Sequence, residues 1–118
     1  MKSEIAKRLD ECMSVEQIFL DRTLTLNGLA LRVGTNRTYM SNFLNETLHM
    51  TFFQYINSLR LKHATQLLTT TQLTLAVVAE RSGFNSLSTF RRCFQRTYGC
   101  SAVTFRKKYA QDHTIAKP

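Results

Sequence analysis

What most constrains this chain is a repeat. The segment LALRVGTNRTYMSNFL (Leu29 to Leu44) lies over VAERSGFNSLSTFRRCF (Val78 to Phe94), with one extra residue in the second copy. Ala30 and Ala79 stand 49 residues apart, as do Gly34 and Gly83, while Leu44 and Phe94 stand 50 apart, as do Tyr55 and Phe105. Self-similarity at a fixed period means one supersecondary unit used twice. Each copy reads as a short helix with a small Ala inside it, a Gly four residues on, an Asn, and then a longer amphipathic helix. That is the pattern of a helix–turn–helix. Ala30 and Ala79 leave room for the next helix to cross closely. Gly34 and Gly83 suit a left-handed residue at a helix end. Asn36, and Asn85 or Ser86, suit the cap of the helix that follows.

The only proline is Pro118, so the interior lacks the strongest helix breaker. Apolar residues recur at helical spacing almost throughout. The expectation is an all-α fold of about seven helices, two helix-turn-helix subdomains joined by a long linking helix. Its parts are an N-terminal helix or tether at 1–23, the first helix–turn–helix at 24–50, the linking helix at 51–70, the second helix–turn–helix with a closing helix at 71–110, and a frayed tail at 111–118. Within the two longer helices, Met40, Phe43, Leu44 and Thr47, then Phe90, Cys93, Phe94 and Thr97, form the expected inward stripes. The linking helix is expected from Phe52 to Leu68, after a Thr51 cap, with Phe52, Ile56, Leu59, His63, Ala64 and Leu67 along one side. Thr69 to Gln72 should end it, and Thr74 should cap the next helix. Val103, Phe105 and Tyr109 mark the closing helix, and Ile5, Leu9 and Met13 the first one.

Charge narrows the function. The net charge is +8, but it is unevenly spread. Residues 1–50 hold six basic and six acidic groups, whereas residues 51–118 hold ten and two. A localised basic face points to a polyanion. No apolar run is long enough for a membrane span, and the N-terminus lacks the apolar core of a signal peptide, so the expected setting is cytoplasmic and nucleoid-associated. Cys12, Cys93 and Cys100 are odd in number and lack metal-ligand spacing, and His49, His63 and His113 are isolated. With no phosphate-cradling glycine loop, nucleophile elbow or carboxylate pair, neither catalytic residues nor a metal or other cofactor are expected.

The outward side of the second long helix carries Ser88, Arg92 and Gln95, flanked by Arg91 and Arg96, with no acid among them. Arg can fork to guanine, Gln can pair with adenine, and Ser can bond base or phosphate. Arg91 and Arg96 are better placed for phosphate, which fixes orientation without reading sequence. Leu87, beside the apolar stripe, could touch a thymine methyl. The first long helix turns Thr38, Ser41, Asn42 and Asn45 outward, flanked by Arg37 and Tyr39. This face is polar and weakly charged, so the first unit would discriminate bases while the second supplies more affinity. Arg106, Lys107 and Lys108 in FRKKY, and Arg60 and Lys62, read either as solvated helix surface or as phosphate or partner contacts.

These segments, with FFQYINSLRLKHATQLL between them, resemble the DNA-binding domain of the AraC/XylS family of bacterial transcription regulators over roughly Leu24 to Lys108. The resemblance implies two lobes on a linking helix, with recognition helices entering successive major-groove segments of double-stranded promoter or operator DNA. Carried over by position, it names Thr38, Ser41 and Asn42, then Leu87, Ser88 and Arg92, as base readers. It also implies an activator in contact with RNA polymerase, and an upstream sensor domain absent from this chain, to which the N-terminal helix would be the tether; the other reading of that helix is the start of a free-standing regulator. Three positions depart from the family pattern. His49 stands where Gly is usual, Ala102 where Pro is usual, and Leu87 where a polar reader is common. The alternative function is a helical protein–protein interaction module that has lost DNA readout. RNA binding and enzymatic activity rank below both.

Overall fold

In a computed structural model, which describes residues 2–114, the chain forms seven α-helices: α1 (Lys2–Asp10), α2 (Leu26–Val33), α3 (Arg37–Phe43), α4 (Phe52–Thr70), α5 (Leu75–Arg81), α6 (Leu87–Tyr98) and α7 (Ala102–Thr114). No strand occurs among the described residues. A π-helical turn at Glu11–Val15 extends α1, another at Leu44–Leu48 extends α3, and a short 3-10 turn covers Ile18–Leu20. The closing helix reaches Thr114, past the start of the expected tail; residues 115–118 lie outside the described residues. The chain divides within α4 into two units, Met1–Leu59 and Arg60–Pro118.

The first unit closes around one core. Ile5, Leu9, Cys12 and Met13 recur at helical spacing and are buried with Ile18, Phe19, Leu29, Ala30, Val33, Met40, Phe43, Leu44 and Ile56. From Ile5 onward, α1 is thus part of this lobe's packing. Thr25 caps α2 by accepting from the Gly28 N–H. Gly34 ends α2 at φ +92°, with its N–H returning to the Ala30 carbonyl. No Cβ would clash there, so backbone conformation alone selects glycine. Two residues later the Asn36 side chain accepts the Tyr39 N–H at 2.8 Å and starts α3. The expected stripe holds at Met40, Phe43 and Leu44 but fails at Thr47, which is exposed. A π-helical turn covers this position at Leu44–Leu48.

The second unit repeats the plan with a more aromatic core. Leu61, Ala64, Leu68, Val78, Ala79, Phe84, Phe90, Phe94 and Ala102 are buried together. Edge-on ring contacts run from Phe84 to Phe90 (5.3 Å), Phe90 to Phe94 (5.7 Å) and Phe94 to Phe105 (5.5 Å). Thr74 caps α5, Gly83 takes φ +92°, and Ser86, not Asn85, caps α6 by accepting the Thr89 N–H. Thr97 is exposed, as is Tyr98 at 39%, although the Tyr98 ring lies 4.6 Å from that of Phe94. In α7 the buried small residue is Ala102, while Val103 faces out.

The linking helix also differs from a single stripe. Its first half packs Phe52, Tyr55, Ile56 and Leu59 on the first core, and its second half packs Leu61, Ala64, Leu67 and Leu68 on the second. Leu61 lies off the expected line, and Arg60 is buried at 8% exposure, which removes it from the candidate phosphate contacts. The helix runs two residues beyond Leu68, and the hydroxyls of Thr69, Thr70 and Thr71 bond back to carbonyls of the preceding turn, offering local alternatives to helix where it stops. His63 Nδ1 lies 3.1 Å from the fully buried Ser82 hydroxyl, and burial holds its pKa below the ordinary 6.5.

Candidate nucleic-acid interface

Each recognition helix is fixed on its inner side and free on its outer one. In α3, Met40 and Phe43 are buried, while Asn36, Arg37, Thr38 and Asn42 are exposed and Tyr39 and Ser41 half-buried. Tyr39 packs against the first core, so the ring is partly structural. Asn36 turns its side-chain oxygen to the cap, which leaves its amide NH2 as the donor for an outside partner. Tyr39, Asn42, Phe43 and Glu46 line a shallow groove of about 150 Å³. Glu46 adds a negative charge beside Asn42.

In α6, Phe90 and Phe94 are buried, while Asn85, Ser86, Ser88, Arg91, Arg92, Gln95 and Arg96 are exposed. Leu87 is half-buried against the second core, which accounts for an apolar residue in that place. No acidic partner lies within ion-pair distance of Arg91, Arg92 or Arg96 among the described residues. The hydroxyl of Ser86 is engaged with Thr89, as cap acceptor and side-chain donor. Ser88, Arg92 and Gln95 share one side of a twelve-residue helix held by its cap and by the buried Phe90 and Phe94 rings on the opposite side. Such a face can bond base edges and neutralise phosphate together.

The first unit handles its cations differently. Arg8 pairs with Glu11 at 3.1 Å and donates to the Arg32 carbonyl at 2.8 Å, while Arg32 pairs with Glu16 at 3.3 Å. Arg8 was not singled out from sequence. Its signal was the Glu three residues on. It also lines a cleft of about 270 Å³ with Glu4, Thr35, Asn36 and Tyr39. Among the other basic candidates, Lys62, Lys107 and Lys108 are exposed, but Arg106 turns inward and donates to three main-chain carbonyls, so it leaves the set of expected phosphate contacts.

A family model described as a helix-turn-helix domain matches residues 29–108. The melibiose operon regulatory protein of Escherichia coli K12 is 32% identical over 87 residues, 74% of this chain and 29% of that protein. The transcriptional activator NphR of a Rhodococcus species is 32% identical over 97 residues, 82% of this chain and 29% of that protein. The chain thus spans about 29% of the length of these relatives. Among solved structures, the DNA-binding domain of the global transcriptional factor AdpA, crystallised with a target DNA, superposes with a TM-score of 0.80 at 22% identity, over 92% of this chain and 94% of that one. The chain therefore belongs to the helix-turn-helix domain family, as a DNA-binding domain of the AraC type found in bacterial transcription regulators.

Proposed function

We propose that this chain reads double-stranded DNA in a sequence-specific way at promoters or operators, with α3 and α6 each entering a major-groove segment. The single observation that carries the reading is the outer side of α6, where Ser88, Arg91, Arg92, Gln95 and Arg96 stand exposed without acidic partners among the described residues. In this reading Arg92 and Gln95 address base edges, Ser88 base or phosphate, and Leu87 a thymine methyl, while Arg91 and Arg96 hold phosphates. On α3, Thr38, Ser41 and Asn42 address bases and Arg37 a phosphate, with Asn36, Tyr39, Asn85 and Ser86 at the margins. Two unlike faces imply an unlike pair of subsites, hence an asymmetric site for one molecule. The regulatory consequence we propose is activation in the cytoplasm, at the nucleoid, through RNA polymerase and under control of a sensor domain outside this chain. The reading as a protein-interaction module has no comparable feature behind it on α6.

The test is selection of bound duplexes from a random library, followed by salt titration on the enriched duplex. Expected are a bipartite asymmetric motif and log K falling linearly with log salt. Absence of enrichment over random duplex, together with salt-independent binding, overturns the reading.

A further inference from the structure

The run Phe105–Lys108 looks from sequence like a solvated basic helix end, but its first cation behaves unlike the other two. Lys107 and Lys108 are exposed. The Arg106 guanidinium donates through Nε to the Leu68 carbonyl at 3.0 Å, through Nη1 to the Leu73 carbonyl at 2.7 Å and through Nη2 to the Thr71 carbonyl at 3.4 Å. Leu68 lies in the last turn of α4, where carbonyls run out of intrahelical donors. Thr71 and Leu73 belong to the segment between α4 and α5. A planar fork with five donors holds such a helix end and its loop in one geometry, and its charge sits at the negative end of the helix dipole.

The preceding residue faces another way. The Phe105 ring packs at 5.5 Å from Phe94 and 5.8 Å from Tyr98. Both belong to α6: Phe94 lies on its buried side, and Tyr98 stands three residues after Gln95. The closing helix is therefore tied at one residue to the α4–α5 connection and pressed at the next against the second recognition helix. We infer that Arg106 is a positioning residue for DNA reading: it locks α7 against the end of α4, α7 seats α6, and the presentation of Arg92 and Gln95 follows from that seat. The inference rests on the DNA-reading function proposed above. It also gives the basic run a division of labour, with one cation facing the protein and two facing solvent.

The test compares the wild-type chain with Arg106→Lys, Arg106→Gln and Phe105→Leu. Affinity is measured for the library-selected duplex and for random-sequence duplex of equal length, from about 50 to 200 mM salt, and is normalised to the folded fraction by circular dichroism. Lys keeps the charge but cannot span three carbonyls, and Phe105→Leu loosens the same seat with Arg106 intact. All three variants should lose about tenfold in the ratio of selected to random binding, on the scale of one mismatched base pair. Their salt slopes should match the wild type, because no phosphate contact is removed. Two results overturn the inference alone: a wild-type ratio in every variant, or normal binding by Arg106→Lys with a slope lowered by about one in Arg106→Gln, the mark of a phosphate contact. A wild-type chain without any preference overturns the DNA-reading proposal and this inference together.

Discussion

The two lobes share a plan and differ in what they spend on it. Both turn at a left-handed glycine, Gly34 and Gly83, and both start the recognition helix from a side-chain cap, Asn36 and Ser86. Beneath that frame the first lobe packs a mainly aliphatic and sulfur-containing core, while the second stacks Phe84, Phe90, Phe94 and Phe105. On the surface the first lobe pairs Arg8 and Arg32 with its own acids, whereas the second leaves Arg91, Arg92 and Arg96 outward. The lesson is that caps and glycines set the turn, and the outer face is then free to vary in charge.

The largest effect that would break this comparison lies in the cores. Met40 and Phe90 occupy matching places, and both are fully buried. Phe90→Ala should cost about 3–5 kcal/mol, because it removes the ring between Phe84 and Phe94, and Met40→Ala about 2–5 kcal/mol, in a flexible aliphatic setting that can relax. Urea denaturation of both variants measures this. A Met40→Ala loss clearly above that of Phe90→Ala would mean that the aromatic stack is not the stronger of the two cores.

Next in size are the reading faces. Arg92→Ala should cost about 1–3 kcal/mol on the selected duplex and relax preference at one base pair. Arg96→Ala should weaken all sequences about equally and lower the salt slope by about one. Asn42→Ala, on the weakly charged face, should change preference at a different base pair and leave the salt slope alone. Binding profiles across a duplex library decide the matter. Identical profiles for Arg92→Ala and Arg96→Ala would erase the division between base reading and phosphate holding.

Much of this was legible in the residues, and the misses have physical causes. The repeat located both turns, because a left-handed glycine and a cap are local chemistry that leaves its mark at fixed spacing. The inner sides of α3 and α6 followed from helical periodicity as far as Phe43 and Phe94. The stripe ends at the same place in both copies, with Thr47 and Thr97 exposed, because periodicity marks a face but not where the packing partner stops. Beyond Phe94, the Tyr98 ring lies against Phe94 but stays exposed at its other side. Arg60 and Arg106 were read as surface because sequence shows a charge but not which way a long side chain turns. One signal for Arg106 was present, since it falls four residues after the buried Ala102, on the same side of α7.

A smaller effect sharpens the comparison at the helix ends. His49 and Gly99 close the two recognition segments, and both are left-handed, at φ +56° and +75°. A side chain in that region costs about 1–2 kcal/mol, partly offset by the extra freedom Gly loses on folding. His49→Gly should therefore stabilise the chain by about 1 kcal/mol, and Gly99→His should destabilise it by about as much, since no neighbour crowds a Cβ at Gly99. Paired urea titrations give the sign directly. A loss on His49→Gly would show that the imidazole makes compensating interactions in the first lobe.

The smallest effect is a pH term carried by the second lobe. Burial lowers the folded pKa of His63 below 6.5, so the unfolded chain takes up the proton first as pH falls. The stability that the neutral ring contributes is complete above about pH 6.5 and is lost as pH falls from there through the lower folded pKa. The Ser82 hydroxyl moderates the loss, because it can donate to a bare Nδ1 or accept from a protonated one at the same 3.1 Å. Burial also denies the cation part of its hydration, and the ring is only partly buried. His63→Gln keeps a polar group beside Ser82 and removes the titration. Between about pH 7.5 and 5.5 the urea midpoint of the wild type should therefore fall further than that of His63→Gln. Equal falls would place the acid sensitivity elsewhere in the chain and leave the two lobes alike in this respect.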